Sequence, residues 1–108
     1  MRRYAGRGDT VAVLGMTYRP DTYIVEEAAG LHVAQSLKRS GCRVLVHDFA
    51  ANSTNSPALL EFEAVSDPAH LGREKNLKAI VICCPWAGYR KLNYPAGVPV
   101  LDPWGVRA

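Results

Sequence analysis

The sequence has few cysteines, and none lies in a pattern that supports a disulfide framework or a zinc site. Cys42, Cys83 and Cys84 are the three present, and an odd number that includes two neighbours does not pair into a framework. Neighbouring side chains of a strand point to opposite faces, which suits a single metal ion poorly. We therefore expect no metal site, and we interpret these residues as small buried hydrophobes of a reducing compartment.

Long apolar runs and dense basic runs are also missing. No segment approaches the roughly 20 apolar residues of a membrane span, and no signal-peptide pattern opens the chain. The net charge is only +3, and the basic residues cluster only at Arg2, Arg3 and Arg7. We therefore expect a cytoplasmic protein with neither a membrane nor a nucleic-acid partner.

The residue patterns of common catalytic sites are absent as well. Gly15-Met16-Thr17-Tyr18 stands where a dinucleotide-binding strand would carry Gly-x-Gly-x-x-Gly. None of His32, His47 and His70 is paired with a cysteine or a second histidine at ligand spacing. No nucleophile–base arrangement can be recognised, so we predict no catalytic residue in this chain.

The length and composition of the chain are those of one globular domain. Of its 108 residues, 48% are hydrophobic and 21% are charged, which is ordinary usage for such a domain. Residues 1–9 are rich in Arg and Gly without periodicity, so we expect a flexible lead-in there and a domain over residues 10–108. An enzyme with separate cofactor and substrate domains does not fit in this length.

Strand patterns alternate with helical patterns along the chain. Short apolar runs are typical of strands buried on both faces, and a four-residue apolar repeat predicts a helix over Glu26–Ser40 that Gly41 ends. The predicted strands are Thr10–Leu14, Cys42–His47, a third near Phe62, Leu77–Cys84 and Val98–Leu101. The alternation favours a three-layer α/β/α, Rossmann-like open parallel sheet of about five strands.

Two shorter helices complete this prediction. Ser66 or Asp67 would cap the first, which Pro68 opens and which ends at about Arg73. The second lies near Ala87–Leu92.

In such a sheet, ligands bind beyond the carboxyl ends of the strands. Asp48 at the end of a strand is either a ribose-binding acid or, more simply, a hydrogen-bonded loop aspartate. Trp86 is either a packing lid or a stacking platform, and Tyr89 and Tyr94 are expected to pack at an edge. The segments that this rule selects are Gly15–Thr22, Asp48–Ala51, Pro85–Trp86 and Asp102–Trp104.

The segment Val11–Thr22 carries a resemblance to a known family. It reads Val-Ala-Val-Leu-Gly-Met-Thr-Tyr-Arg-Pro-Asp-Thr and resembles Val-Ala-Val-Leu-Gly-Leu-Thr-Tyr-Lys-Pro-Asp-Thr. The latter opens the C-terminal, UDP-binding domain of UDP-glucose/GDP-mannose dehydrogenases. Val81–Arg90 is similar to a later strand of that family followed by Glu-Trp-Pro-x-Phe, and Val100–Asp102 to its final strand. The resemblance covers nearly the whole chain.

The resemblance implies a site for a UDP-sugar or a related nucleotide sugar on the turn after the first strand. Arg19 stands in the place of a lysine that helps to bind the nucleotide sugar in the family. Arginine keeps that positive charge and can fork onto a phosphate, although a solvated Arg19 stays an alternative. The expected substrate-binding residues are Tyr18, Arg19, Asp21, Thr22, Trp86 and Asp102.

The chain also departs from the family pattern. Glu26 replaces the family's arginine on the NAD side, which reverses the charge and leaves the cofactor-binding residues unassigned. Asp102-Pro103-Trp104 replaces the family's Asp-Gly-Arg, so an anion-binding arginine is missing unless Arg107 substitutes, and the catalytic cysteine loop is absent. No cofactor is expected in this chain. NAD is expected for the complete family enzyme, on an N-terminal domain or subunit, and a homodimer stays open.

Two functions therefore stay open. The first is a nucleotide-sugar-binding domain of an NAD-dependent nucleotide-sugar 6-dehydrogenase, which is not catalytic by itself. The second is a diverged, non-enzymatic assembly or regulatory module that has lost nucleotide binding, which Tyr23, Ile24, Glu26 and Trp104 favour. An independent Rossmann reductase is the weakest alternative, because it lacks both the glycine fingerprint and a substrate domain.

Overall fold

Five parallel strands form one open sheet in the computed structural model, which describes residues 8–17, 28–51, 54–74, 76–92 and 94–102. In space the strands follow the order β3-β2-β1-β4-β5, so β1 lies in the middle. The predicted open parallel sheet of about five strands is confirmed. In chain order the strands are β1 (Thr10–Leu14), β2 (Arg43–His47), β3 (Glu63–Ala64), β4 (Leu77–Ile82) and β5 (Val100–Leu101).

The sequence of β1 explains its middle position. All of its residues are buried, as expected where a strand has neighbours on both edges and covered faces. Leu14 at its end lies opposite His47 of β2 and Ile82 of β4. The carboxyl ends of these three strands therefore lie at the same level.

Helix α1 (Ala29–Arg39) connects β1 to β2. The predicted start at Glu26 is wrong, because Ala28 has extended backbone angles, φ −73° and ψ 143°, and α1 begins after it; residues 26–27 lie outside the described ranges. The end agrees with the prediction, since Gly41 has a positive φ of 91° that favours glycine after a helix. The residues that α1 buries lie on one stripe: Gly30, Leu31, Ala34 and Leu37.

Short 3₁₀ helices make the other connections. They span Pro57–Glu61, Pro68–Arg73 and Ala87–Lys91. The second is capped as predicted, because the Asp67 carboxylate accepts a hydrogen bond from the Ala69 amide at 3.0 Å. Within the described ranges, no helix has the length and apolar character needed to cross a membrane.

Two apolar clusters, one on each face of the sheet, give the fold its three layers. On one face, α1 packs over Val11 and Val13. On the other face, Leu71 and Tyr89 from the 3₁₀ helices pack over Ala12 and Leu14. Tyr89 is 0% exposed, so the expectation that it packs at an edge is wrong.

The edge strand β3 is held by main-chain pairing to β2 and by a surface ion pair. The Arg43 guanidinium of β2 reaches the Glu63 carboxylate of β3 at 2.5 Å and that of Glu74 at 3.4 Å. These side chains are partly exposed to water, which weakens their ion pairs. Three strands are shorter than predicted by one or two residues. β2 begins at Arg43, β4 ends at Ile82 and β5 begins at Val100.

Candidate functional site

The switch point of the sheet lies between β1 and β4. From β1 the chain moves through α1 to β2 on one side, whereas β4 and β5 lie on the other side. Connections diverge at such a point and leave a crevice at the carboxyl ends of the strands. The residues that follow the strands here are Gly15–Thr17 after β1, Asp48 after β2 and Trp86 shortly after β4.

Asp48 joins the loops at this edge through both of its carboxylate oxygens. Its Oδ1 accepts hydrogen bonds from the Met16 amide at 2.9 Å, the Thr17 amide at 3.2 Å and the Thr17 hydroxyl at 2.9 Å. Its Oδ2 accepts from the amides of Ala50 and Ala51 at 2.8 and 3.0 Å. Hydrogen bonds to a carboxylate are stronger than those between neutral groups. The structure therefore agrees with the simpler interpretation, in which Asp48 is a loop aspartate whose oxygens accept hydrogen bonds that hold the loops together.

Trp86 belongs to the same network. Its indole N–H donates to Thr17 Oγ1 at 3.2 Å and to Asp48 Oδ1 at 3.1 Å. Its ring lies against that of Phe49, with the centroids 5.6 Å apart. The indole therefore packs as a lid that links the ends of β1, β2 and β4, and its role as a stacking platform stays a prediction.

The turn after β1 requires glycine because other backbone approaches it closely. Gly15 has a φ of 90°, and a Cβ on it would lie 2.6 Å from the main-chain nitrogen of Cys84. A Cβ on Gly30 of α1 would collide with the carbonyl oxygen of Gly15. The first turn of α1 therefore lies directly against the switch-point turn.

The main-chain amides of this turn donate hydrogen bonds to other groups of the protein. The Gly15 amide donates to the His47 carbonyl at 2.8 Å, and those of Met16 and Thr17 donate to Asp48. In a dinucleotide-binding fold, amides at this place face the pyrophosphate. A phosphate bound here would therefore depend on side chains rather than on these amides.

His47 lies beneath this edge and is 9% exposed. Its Nδ1 is 3.0 Å from the Tyr89 hydroxyl, and that hydroxyl is 3.1 Å from the His47 carbonyl oxygen. The Tyr89 hydroxyl has a single proton for these two contacts, so the direction of the His47–Tyr89 hydrogen bond depends on the tautomer of the imidazole. Burial lowers the pKa of His47, an effect that Asp48 and Asp67 partly oppose.

A cavity of about 410 Å³ opens beside His47, beyond the ends of β2 and β3. No sequence pattern predicts this cavity, because its walls include a 3₁₀ helix and a two-residue strand that have too few residues for a periodic pattern. The one available signal was the apolar pair Leu59-Leu60 in a loop region, with Leu60 69% exposed. The lining residues are Val46, His47, Asp48, Ala51, Leu59, Leu60, Phe62, Ala64, Val65 and Ser66.

Burial favours the protonated form of the two thiols near this edge. Burial and the neighbouring Cys84 raise the pKa of Cys83 to about 12, and burial also raises that of Cys84. A protonated thiol is a poor nucleophile and metal ligand. In the part of the chain that the structure describes, no group of three or more His, Cys, Asp or Glu side chains could hold a metal ion.

The structure describes two of the six predicted substrate-binding residues. Trp86 lies at the switch point, whereas Asp102 follows β5, which is separated from β1 by β4. Thr17, whose hydroxyl donates a hydrogen bond to Asp48, is the last described residue before the segment that holds the other four predicted residues. The other four predicted residues lie outside the described ranges: Tyr18, Arg19, Asp21 and Thr22. Glu26 also lies outside them.

Known proteins are similar to this chain in sequence and in fold. Residues 12–106 match the UDP-glucose/GDP-mannose dehydrogenase family, UDP binding domain. A UDP-glucose 6-dehydrogenase of Rhizobium meliloti (strain 1021) is 32% identical over 89 residues, which make up 82% of this chain and 20% of that protein. The solved structure of a UDP-glucose dehydrogenase from the hyperthermophilic archaeon Pyrobaculum islandicum is 34% identical with a TM-score of 0.81, and the likeness covers 94% of this chain and 23% of that one. The chain thus spans about a fifth of the length of these relatives.

Proposed function

The chain belongs to the UDP-glucose/GDP-mannose dehydrogenase family as its UDP binding domain, and on this premise we propose that it binds the nucleotide part of a UDP-sugar at the switch point between β1 and β4. The observation that carries the proposal is the fixed start of the turn after β1. Thr17 is hydrogen-bonded to Asp48 and lies 3.2 Å from the indole nitrogen of Trp86. Arg19 follows only two residues later.

In this proposal, side chains of the turn after β1 bind the nucleotide. The amides of Gly15, Met16 and Thr17 are already bonded within the protein, which leaves the diphosphate to the Arg19 guanidinium. A guanidinium binds phosphate oxygens through paired N–H groups. Tyr18, Asp21 and Thr22 would shape the same turn, and Trp86 and Asp102 would form the rim of the site.

In a complete relative, the oxidation would take place outside the part that corresponds to this chain. We propose that NAD and the catalytic cysteine belong to an N-terminal domain or subunit, which oxidises the nucleotide sugar that this domain holds. The relatives are about four to five times as long as the matched part of this chain, which supports that division. The domain limits of 10–108 after a flexible lead-in, a homodimer and a cytoplasmic location stay predictions.

A second function is a non-enzymatic assembly or regulatory module. It is favoured by Tyr23, Ile24, Glu26 and Trp104, which replace residues of the family pattern and lie outside the described ranges. In this alternative the domain folds as described but binds no nucleotide.

Calorimetric titration separates these functions. We expect UDP and a UDP-sugar to bind the full chain, and NADH to give no heat, because the amides that would cradle a dinucleotide are occupied. Absence of UDP binding by a folded chain would support the non-enzymatic module instead. Binding of NADH would support the reductase alternative.

A further inference from the structure

We propose that Phe49 and Gly88 are positioning residues for the switch point: the Phe49 ring fills the space that Gly88 leaves open and keeps the Trp86 indole against Thr17. Phe49 follows β2, and Gly88 lies in the 3₁₀ helix Ala87–Lys91 that follows β4. The two residues act on a ligand only through Trp86 and Thr17. The proposal rests on the proposed function for the identity of that ligand, whereas the positioning itself can be tested without one.

Gly88 is required for space rather than for backbone conformation. Its φ lies outside the left-handed region that favours glycine, and glycine within a helix is less stable than alanine. A Cβ on Gly88 would collide with Cζ of Phe49 and would lie 2.8 and 3.0 Å from the two Cε atoms of that ring. The missing side chain at this position therefore makes room for the end of the Phe49 ring.

The Phe49 ring packs on side chains that have little freedom to move. Its centroid is 4.9 Å from those of His47 and Tyr89, which are 9% and 0% exposed. The main chain beside Phe49 is also held, because Asp48 Oδ2 accepts a hydrogen bond from the Ala50 amide at 2.8 Å. Aromatic rings in contact prefer defined distances and tilts, so these neighbours determine where the Phe49 ring lies.

The Trp86 indole lies between the Phe49 ring and the turn after β1. The two ring centroids are 5.6 Å apart, with the planes at 58°. The indole N–H is 3.2 Å from Thr17 Oγ1 and 3.1 Å from Asp48 Oδ1, and hydrogen bonds weaken steeply as their angle worsens. A displaced Phe49 ring would tilt the indole and change its contact with Thr17, which is the last described residue before Arg19.

The exposure of Phe49 separates positioning from a contribution to stability. Phe49 is 47% exposed, so its outer part contributes little buried apolar area, and the ring has open solvent to move into. A substitution that displaces the ring should therefore change the position of the Trp86 indole more than the free energy of unfolding.

An exchange of bulk between the two positions tests this pair in the full chain. Leucine lacks Cζ and both Cε atoms, which are the ring atoms that a Cβ on Gly88 would approach. We expect Gly88→Ala and Phe49→Leu each to weaken UDP binding about fivefold, and the double variant to bind within about twofold of the unmodified chain, as coupled neighbours do. Calorimetry measures the affinities. NMR follows the indole N–H resonance of Trp86, which should shift in both single variants and return in the double variant.

Gly72→Ala is the matched control. Gly72 also lies in a 3₁₀ helix, and a Cβ on it would lie 3.9 Å from Cγ of Pro95, an ordinary contact, so UDP affinity and the Trp86 resonance should stay unchanged. Independent effects, with the double variant weakened about 25-fold, would overturn the proposal. So would a loss of UDP affinity that only parallels a loss of stability in urea denaturation.

The Trp86 resonance distinguishes failure of this proposal from failure of the proposed function. If the folded, unmodified chain binds no UDP, the proposed function fails, but return of the resonance in the double variant would still support the positioning pair. If all variants bind UDP equally, the proposed function stands and the pair is refuted. If circular dichroism shows that Gly88→Ala is unfolded, Phe49→Ala, which removes the ring without adding bulk, should shift the resonance, and an unshifted resonance would overturn the proposal.

Discussion

At the scale of the residue, His47 shows how burial creates a pH-dependent contribution to stability. Burial lowers its pKa in the folded protein, whereas an unfolded histidine titrates near pH ~6.5. The unfolded chain therefore binds more protons between the folded pKa and ~6.5, and the stabilisation is present above ~6.5 and is lost as the pH falls.

We expect the free energy of unfolding to decrease by up to about 1.4 kcal/mol per pH unit below this point. Urea denaturation at pH ~7.5 and ~5.5 measures the difference, and His47→Gln should reduce it. His32→Gln, at an exposed position of α1, should leave it unchanged. Equal pH dependence in both variants would show that another group is responsible.

Single residues were the hardest part of the site to predict. Asp48 stood out because it follows a strand, and its interpretation as a loop aspartate agrees with the hydrogen bonds it accepts. His47 and Tyr89 gave no signal, because their hydrogen bond joins positions that are 42 residues apart. Such a pair depends on the tertiary structure and leaves no local pattern.

At the scale of the element, the carboxyl ends of β1, β2 and β4 depend on one another through Asp48. Its carboxylate accepts from Thr17 after β1 and from Trp86 after β4. An amide in its place keeps one acceptor oxygen and turns an NH₂ group toward main-chain donors. The three strand ends should therefore loosen together if the charge is removed.

We expect Asp48→Asn to lower the free energy of unfolding by about 2–4 kcal/mol, the range for lost bonds to a charged acceptor and an unpaired donor. The matched control is Asp67→Asn, because Asp67 caps a helix, where asparagine serves nearly as well. Urea denaturation compares the two. A similar loss in both variants would contradict the central place of Asp48.

The regular elements were predictable where the sequence is long enough to show a period. β1 and β4 each contain an apolar run of four residues, Val11–Leu14 and Ala79–Ile82, and the buried stripe of α1 repeats at helical spacing. The start of α1 was misplaced because Glu26 and Glu27 resemble the first turn of a helix, whereas Ala28 is extended. β3 has only two residues, which pair through the backbone and show no alternation.

At the scale of the whole molecule, a Rossmann-like sheet is combined with a switch-point turn whose main-chain amides donate hydrogen bonds to other groups of the protein. The fold alone would suggest a dinucleotide, since such sheets often bind one. The occupied amides argue for a ligand held by side chains instead. The family match over residues 12–106 agrees with a nucleotide of the UDP type.

The most direct test of the account compares UDP binding by the unmodified chain with that by Arg19→Ala, using calorimetry. Arg39→Ala is the matched control, because Arg39 is exposed in the last turn of α1, away from the switch point. We predict that Arg19→Ala weakens UDP binding about tenfold or more, as expected for a lost charge-assisted contact, and that Arg39→Ala binds UDP normally. Equal UDP affinity in all three proteins, or none in the folded unmodified chain, would contradict the account.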